Sequence, residues 1–423
     1  MSPVSRGRRP KKGSKRQQRK GGNPAATPQA PTLVAPDPAP TAGAGRSPDW
    51  FGAAAGRVLA AADGVTATRS PQELDQAVAE LLGAELHRAL HAGRGGLFFQ
   101  RWLDELGTAV IGRIEQDTAE DAVRTGAVWL LHGLAAQCDT LADDLLERAR
   151  DALGKRPCPP LPSWLPEMPR LAATGRVLRL RDVYGTRFGV IAGYTFPGVS
   201  GTSWYLLDID TSAFVVLADA SVHDDPEQAA AAWREDAGSP DAEVHEVDDP
   251  VELMCLNQLD TGNELMGLKG DESRRVLDNW FRARTRINLL ARTLRREDRS
   301  LPPVRSLYSD IDPTVMATPF TGWHVRTHGG EPDPEATEAL AEQWMEGTLP
   351  ETWFCTSPDR LRFQRALLSD WVPDHPVTLG VHALLPESRR LGERAGLSAP
   401  RMEALYAAAG SMPRRADRDR PAG

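Results

Sequence analysis

Between Pro157 and Pro169 six of thirteen residues are proline. Neither a helix interior nor a central strand can run through such a stretch, because proline lacks the amide donor and fixes φ. Before it, apolar residues recur at helical spacing; after it come short β-branched and aromatic runs. The chain is therefore expected to join a helical unit, 49–156, through a linker, 157–170, to an antiparallel sheet with helices, 171–300.

On the helical side, Ser70 to Glu73 forms a capping box with Pro71 at the first helical position, and Leu74, Val78, Leu81, Leu82 and Leu86 follow on one face. Gly93 to Gly96 interrupt the pattern. Leu97 to Gln116 and Thr118 to Leu153 resume it, so three or four packed helices are expected. Beyond the prolines, Val177–Leu180, Phe188–Tyr194, Trp204–Ile209 and Phe214–Leu217 read as an antiparallel meander, and Asp225-Pro226 opens a helix. Residues 301–410 read as an irregular segment followed by helices that start near Asp333-Pro334 and Ser357-Pro358, and 411–423 are expected to fray. The fold class is α+β, with no internal repeat.

The formal net charge of −8 conceals a division. Residues 1–46 carry ten Lys/Arg against Asp37 alone, a net of +9, which leaves 40 basic and 57 acidic residues, −17, for the rest. Residues 1–48 are also rich in proline and poor in apolar side chains, so they are expected to form a disordered arm. Within the body, 224–252 carry a net of −10 and 274–299 a net of +6. On a helix, Leu277, Trp280, Ile287, Leu290 and Leu294 share one face, with Arg275, Arg282, Arg286, Arg292 and Arg296 mostly on the other. The simplest expectation is that this arginine face lies against the acidic segment; gripping phosphate is the alternative.

No apolar run approaches the roughly 18 residues of a spanning helix, and the basic N-terminus lacks the apolar core of a secretion signal. Cys138, Cys158, Cys255 and Cys355 form no C-x-x-C pair, so a reducing, cytoplasmic setting is the default expectation and neither a zinc ribbon nor a disulfide framework fits. No cofactor signature is complete. Gly262 to Lys269 places its lysine one position late for a phosphate loop, and Gly198 to Gly201 lacks the spacing of a nucleophile elbow.

The leading candidate site is the arm itself: Arg6, Arg8, Arg9, Lys11, Lys12, Lys15, Arg16, Arg19 and Lys20. Nine cations in so short a stretch release counterions from a phosphate backbone without needing a fold, and with no interleaved aromatics they would not read sequence. The chain is thus expected to be a non-enzymatic interaction protein, its arm on RNA or DNA and its acidic body on a protein partner, with no membrane contact. A small-molecule enzyme with a site between the sheet and the C-terminal part competes. Its candidate residues are His324, Arg326 and His328 on one side of a strand end, or Asp208 and Asp210 on one strand face, although both carboxylates also suit a solvated turn.

Residues 390–405 support a third reading. Leu391, Gly392, Ala395, Gly396, Leu397, Met402 and Leu405 fill the small and apolar positions of a pattern that resembles the helix-turn-helix of bacterial repressors, which implies a DNA-binding dimer. The second helix offers Arg401, Glu403 and Ala404 where DNA readers place Asn, Gln or clustered Arg, so an ordinary helical hairpin fills the same pattern. His87 and His91 are expected on a solvated helix face, with Glu80 too far along the axis to share a metal with them.

Overall fold

The computed structural model describes residues 50–92, 99–116, 120–155, 160–260, 273–302, 307, 311–370 and 380–410. All described elements belong to one unit, Pro48–Gly423. The first six helices are α1 Trp50–Ala60, α2 Ala62–Val65, α3 Pro71–His91, α4 Phe99–Glu115, α5 Asp121–Gln137 and α6 Asp139–Lys155. Ser70 caps α3 as its sequence requires, accepting from the Glu73 amide at 3.2 Å, while Glu73 reaches back to the Arg69 amide at 2.7 Å. The single periodic stretch expected over 118–153 is instead two helices, because the backbone at Cys138 leaves the helical region.

A short 3-10 turn, Leu165–Arg170, leads into the sheet: β1 Ala172–Arg181, β2 Arg187–Thr195, β3 Ser203–Asp210, β4 Val216–His223 and β5 His245–Glu246. The order is β4-β3-β2-β1-β5 and every pairing is antiparallel. The four-strand meander holds. The last of its strands begins after Phe214, not at it, and runs on to His223, while β5 is too short to leave a pattern in sequence.

Helix α7, Pro226–Asp236, capped by Asp225, covers one sheet face with Ala229, Ala230 and Trp233 packed on Leu178, Ile191, Trp204 and Leu206. Phe188, Val190, Ala192, Tyr194, Tyr205, Leu207 and Ile209 point to the other face, into a continuous core shared with the N-terminal helices and with α9, Arg274–Arg296. Between them in sequence stands the short α8, Met254–Asp260. The remaining helices, α10 Thr314–His328, α11 Pro334–Met345, α12 Pro358–Asp370, α13 Gly380–Arg394 and α14 Ala399–Ala409, close on their own core around Trp344, Leu361, Leu384, Leu391 and Leu405. With fourteen α-helices and one five-stranded antiparallel sheet among the described residues, the chain is α+β. None of these helices is long and apolar enough to cross a membrane.

The arginine-rich helix α9 corrects one expectation. It does not turn its guanidinium groups to an acidic surface; it is wedged between α3 and strands β1 and β4, so both its faces are covered. Arg282 and Arg286 are 1% and 3% exposed, and each donates to Oδ2 of the buried Asp75 on α3, at 3.0 and 2.9 Å. Asn279, Gln76 and the Ala136 carbonyl take the remaining donors, and the rings of Tyr205 and Tyr194 lie under the two guanidiniums. Arg275, at the start of the helix, does reach the acidic segment, pairing with Asp236 as well as with Asp219. Gly83 makes this approach feasible: a Cβ there would lie 2.5 Å from the Asp278 Cα.

Burial by itself would raise the Asp75 carboxyl, but Arg286 and Arg282 outweigh that and hold it below its ordinary value. Replacing Asp75 by Asn leaves two buried cations with no counterion. We expect it to cost about 3–5 kcal/mol in urea unfolding at neutral pH. Because the folded-state value is depressed, the carboxylate's contribution is full above the ordinary carboxylate range and is lost as pH falls through the lower, folded one. The gap between wild type and Asp75→Asn should therefore narrow toward acid; a gap independent of pH would contradict the assignment.

Candidate functional site

The nine arm cations, Arg6 to Lys20, lie outside the described residues, as do Gly262 to Lys269 and Cys158. The other candidates have defined places. Asp208 is not solvated: it is 1% exposed and sealed beneath α7, where Arg187 Nε donates to both its oxygens at 2.9 and 3.1 Å and Trp233 Nε1 donates at 3.0 Å. Burial raises its carboxyl, and Arg187 and Trp233 draw it partly back. Asp210 is half-buried and accepts the Ser212 amide at 2.7 Å in the turn after β3. With both Asp208 oxygens engaged, the pair offers no open metal position, and among the described residues no group of three or more His, Cys, Asp or Glu is placed to hold a metal.

His324, Arg326 and His328 lie on a helix instead of a strand. Pro319 reads as a breaker in sequence, yet it occupies the second turn of α10, which ends at Gly329 with φ of 77°. Helical spacing brings His324 and His328 together, ring centroids 4.6 Å apart beside Trp323, and turns Arg326 away from both. The three do not converge. On α3, His87 is half-buried and His91 exposed, with their Nε2 atoms 2.9 Å apart.

Residues 390–405 do form two helices joined at Gly396, whose φ of 64° demands glycine. Arg394 is exposed, over the Phe354 ring, and the other two cations are engaged within the molecule. Arg390 is buried against Glu387, with bonds of 2.6 and 2.5 Å, and Arg401 lines a cleft toward the sheet.

That cleft is the best-defined candidate site between the sheet and the C-terminal helices. It encloses about 370 Å³. Arg181, at the end of β1, and Arg401, in the first turn of α14, supply positive charge, while Asp241 and Glu243 supply negative charge and Ser239 and His245 complete the polar lining. Next to it, a chain of charged groups ties the two parts of the molecule together. His245 Nε2 meets Glu252 at 2.7 Å, and Arg179 reaches Glu252 at 3.4 Å and Glu351 at 2.6 Å. Arg181 donates to the Glu351 carbonyl at 3.1 Å and to Cys355 Sγ at 2.9 Å. Burial raises the Cys355 thiol despite Arg181 and Arg360, so it is a packed thiol and not a ready nucleophile. Ser212 and Ser357, and the rings of Phe214 and Phe363, continue the seam.

Chemically, a lining that holds two guanidinium groups and two carboxylates suits a small ligand carrying both charges, and His245 with Glu252 is a pair able to move a proton. The expectation of a site between sheet and C-terminal part was a sequence inference; these residues were not part of it. Arg181, His245, Arg401 and the Glu351–Cys355 pair come from four separate segments, and no local spacing links the four. No protein-family model, no curated protein and no solved structure matches this chain.

Arg179 is 5% exposed, so removing its nearer counterion should loosen the seam. Glu351→Ala is expected to speed alkylation of Cys355 in the native protein several-fold, read by peptide mapping. An unchanged rate would mean that this ion pair does not hold the seam closed.

Proposed function

We propose that the chain is a non-enzymatic interaction protein whose arm, residues 6–20, binds a phosphate polymer, RNA or DNA, while its acidic body engages a protein partner. The observation that carries this reading is the charge division, +9 in residues 1–46 against −17 in the rest. The internal use of arginine supports it. Arg187, Arg282 and Arg286 are committed to buried carboxylates and Arg360 to the carbonyls of Thr352, Cys355 and Trp344, so the body's interior cations are not offered to a polymer. Meanwhile Asp224, Glu227, Asp241, Glu243, Asp248 and Asp249 are exposed and would repel one.

The test compares the full chain with a full-length variant whose nine arm cations are glutamine. Wild type should bind single- and double-stranded oligonucleotides with little sequence preference. If all nine charges engage, log K against log salt should fall with a slope of about −6 for single strands to −8 for duplex. The variant should lose about a hundredfold or more at low salt. Equal binding by the two proteins would overturn the reading.

The cleft favours a second reading, a small-molecule site. Its lining of Arg181, Arg401, Asp241, Glu243 and His245 fits a zwitterion of amino-acid size. A thermal-shift screen with free amino acids and their amides should then find a stabilising compound whose effect is lost in Arg401→Glu. No shift with any of them leaves the interaction-protein reading alone.

A further inference from the structure

The last two turns of α3 hold a pair of imidazoles in an unusual relation. His87 and His91 are four residues apart, so a helix sets them one above the other on the same face. Their ring centroids are 4.2 Å apart with the planes at 69°, and the two Nε2 atoms face each other at 2.9 Å. Between neutral rings that contact needs one Nε2 to carry a proton and the other to accept it. Both coordinating nitrogens therefore already point at one small volume.

The separation itself is informative. Metal–imidazole bonds of about 2.0–2.1 Å at a right angle put two nitrogens about 2.9 Å apart, whereas a tetrahedral angle puts them about 3.3 Å apart. The pair thus has the bite of two neighbouring corners of a square-planar or octahedral ion. Its surroundings favour a cation. His91 is the last residue of α3, where the helix dipole presents its negative end. Arg88, between the two in sequence, is drawn away to Glu85, which is 3% exposed and also holds Arg57 at 2.6 Å. Glu85 stands two positions before His87, so that ion pair occupies the far side of the helix. His324 and His328 share the four-residue spacing, but there the centroids are 4.6 Å apart and His324 Nδ1 is engaged with the Gly330 carbonyl at 2.9 Å.

We propose that His87 and His91 form a two-nitrogen site for a late first-row divalent metal ion, copper(II) or nickel(II), that braces the end of α3. Among the described residues no third metal-binding side chain joins them, so water completes the coordination. When the metal enters, it takes the Nε2 lone pair of each ring; the ring that carried its proton on Nε2 carries one on Nδ1 instead, and both imidazoles stay neutral. The site is independent of the arm and of the cleft beside Arg401.

The test titrates the full-length protein with copper(II), nickel(II) and magnesium in a non-chelating buffer. Copper and nickel should each bind at one equivalent with Kd below about 100 μM, and magnesium, which prefers oxygen ligands, should not bind there. His87→Gln and His91→Gln should each weaken copper about tenfold or more. His91 is exposed at the end of its helix, so its loss leaves the core untouched. The electron paramagnetic resonance spectrum of the one-equivalent copper complex should show two coupled nitrogens in wild type and fewer in His91→Gln. Nickel should raise the thermal midpoint of wild type but not of His91→Gln. Three outcomes would overturn the proposal: no saturable copper or nickel binding, a copper spectrum unchanged by His91→Gln, or His324→Gln weakening binding as much as His91→Gln.

Discussion

One carboxylate shared by two buried guanidinium groups organises the main body of this protein. Asp75 is on α3, Arg282 and Arg286 are on α9, and the tyrosines beneath them belong to the sheet. The cluster therefore joins N-terminal helix, sheet and α9 at a single point. Two cations against one anion leave a charge in excess, which the Ala136 carbonyl, the Gln76 and Asn279 side-chain oxygens and two aromatic faces help to accommodate. Such a cluster adds less to stability than an apolar core of equal volume would, but it tolerates no partial loss, since every missing partner strands a charge in a low dielectric.

The same economy of charge runs through the rest of the body. Arg187 is closed over Asp208 under α7, and Arg179 and Arg181 join the sheet to the C-terminal helices through Glu351 and Cys355. Arg360 lies flat on Trp344 and donates to three carbonyls, and burial lowers its proton affinity. Arginine suits all these places because its planar fork spans several acceptors and stacks on rings, which a lysine ammonium does not. A chain with only Lys155 and Lys269 beyond its arm thus uses its basic residues largely as internal ties, and the exposed surface near α7 is left acidic.

Local chemistry made much of the fold legible. The caps at Ser70, Asp225 and Asp333 act over three residues, from a side-chain oxygen to the amide of Glu73, Gln228 or Ala336, so each helix start could be read directly. Short β-branched and aromatic runs between turn residues made β1 to β4 visible. Helix α10 was missed because Pro319 carries the same letter whether it ends a helix or sits within one at the loss of a bond. The two-residue β5 was missed because it exists only by pairing with β1. The cleft by Arg401 had no sequence signal as a site, since it is assembled from segments that meet only on folding.

What the sequence by itself determined is therefore what neighbours along the chain can settle: most of the element types, the antiparallel meander of the sheet, the α+β class and the opposed charges of arm and body. Tertiary structure decided which charges are spent and which remain to act. Asp75 and Arg286 are 211 residues apart, and a helical wheel shows a guanidinium as polar without showing whether a carboxylate waits opposite it. An arginine on the wheel's polar face turned out to be core, because α9 is covered on both sides, and only the packed molecule carries that information.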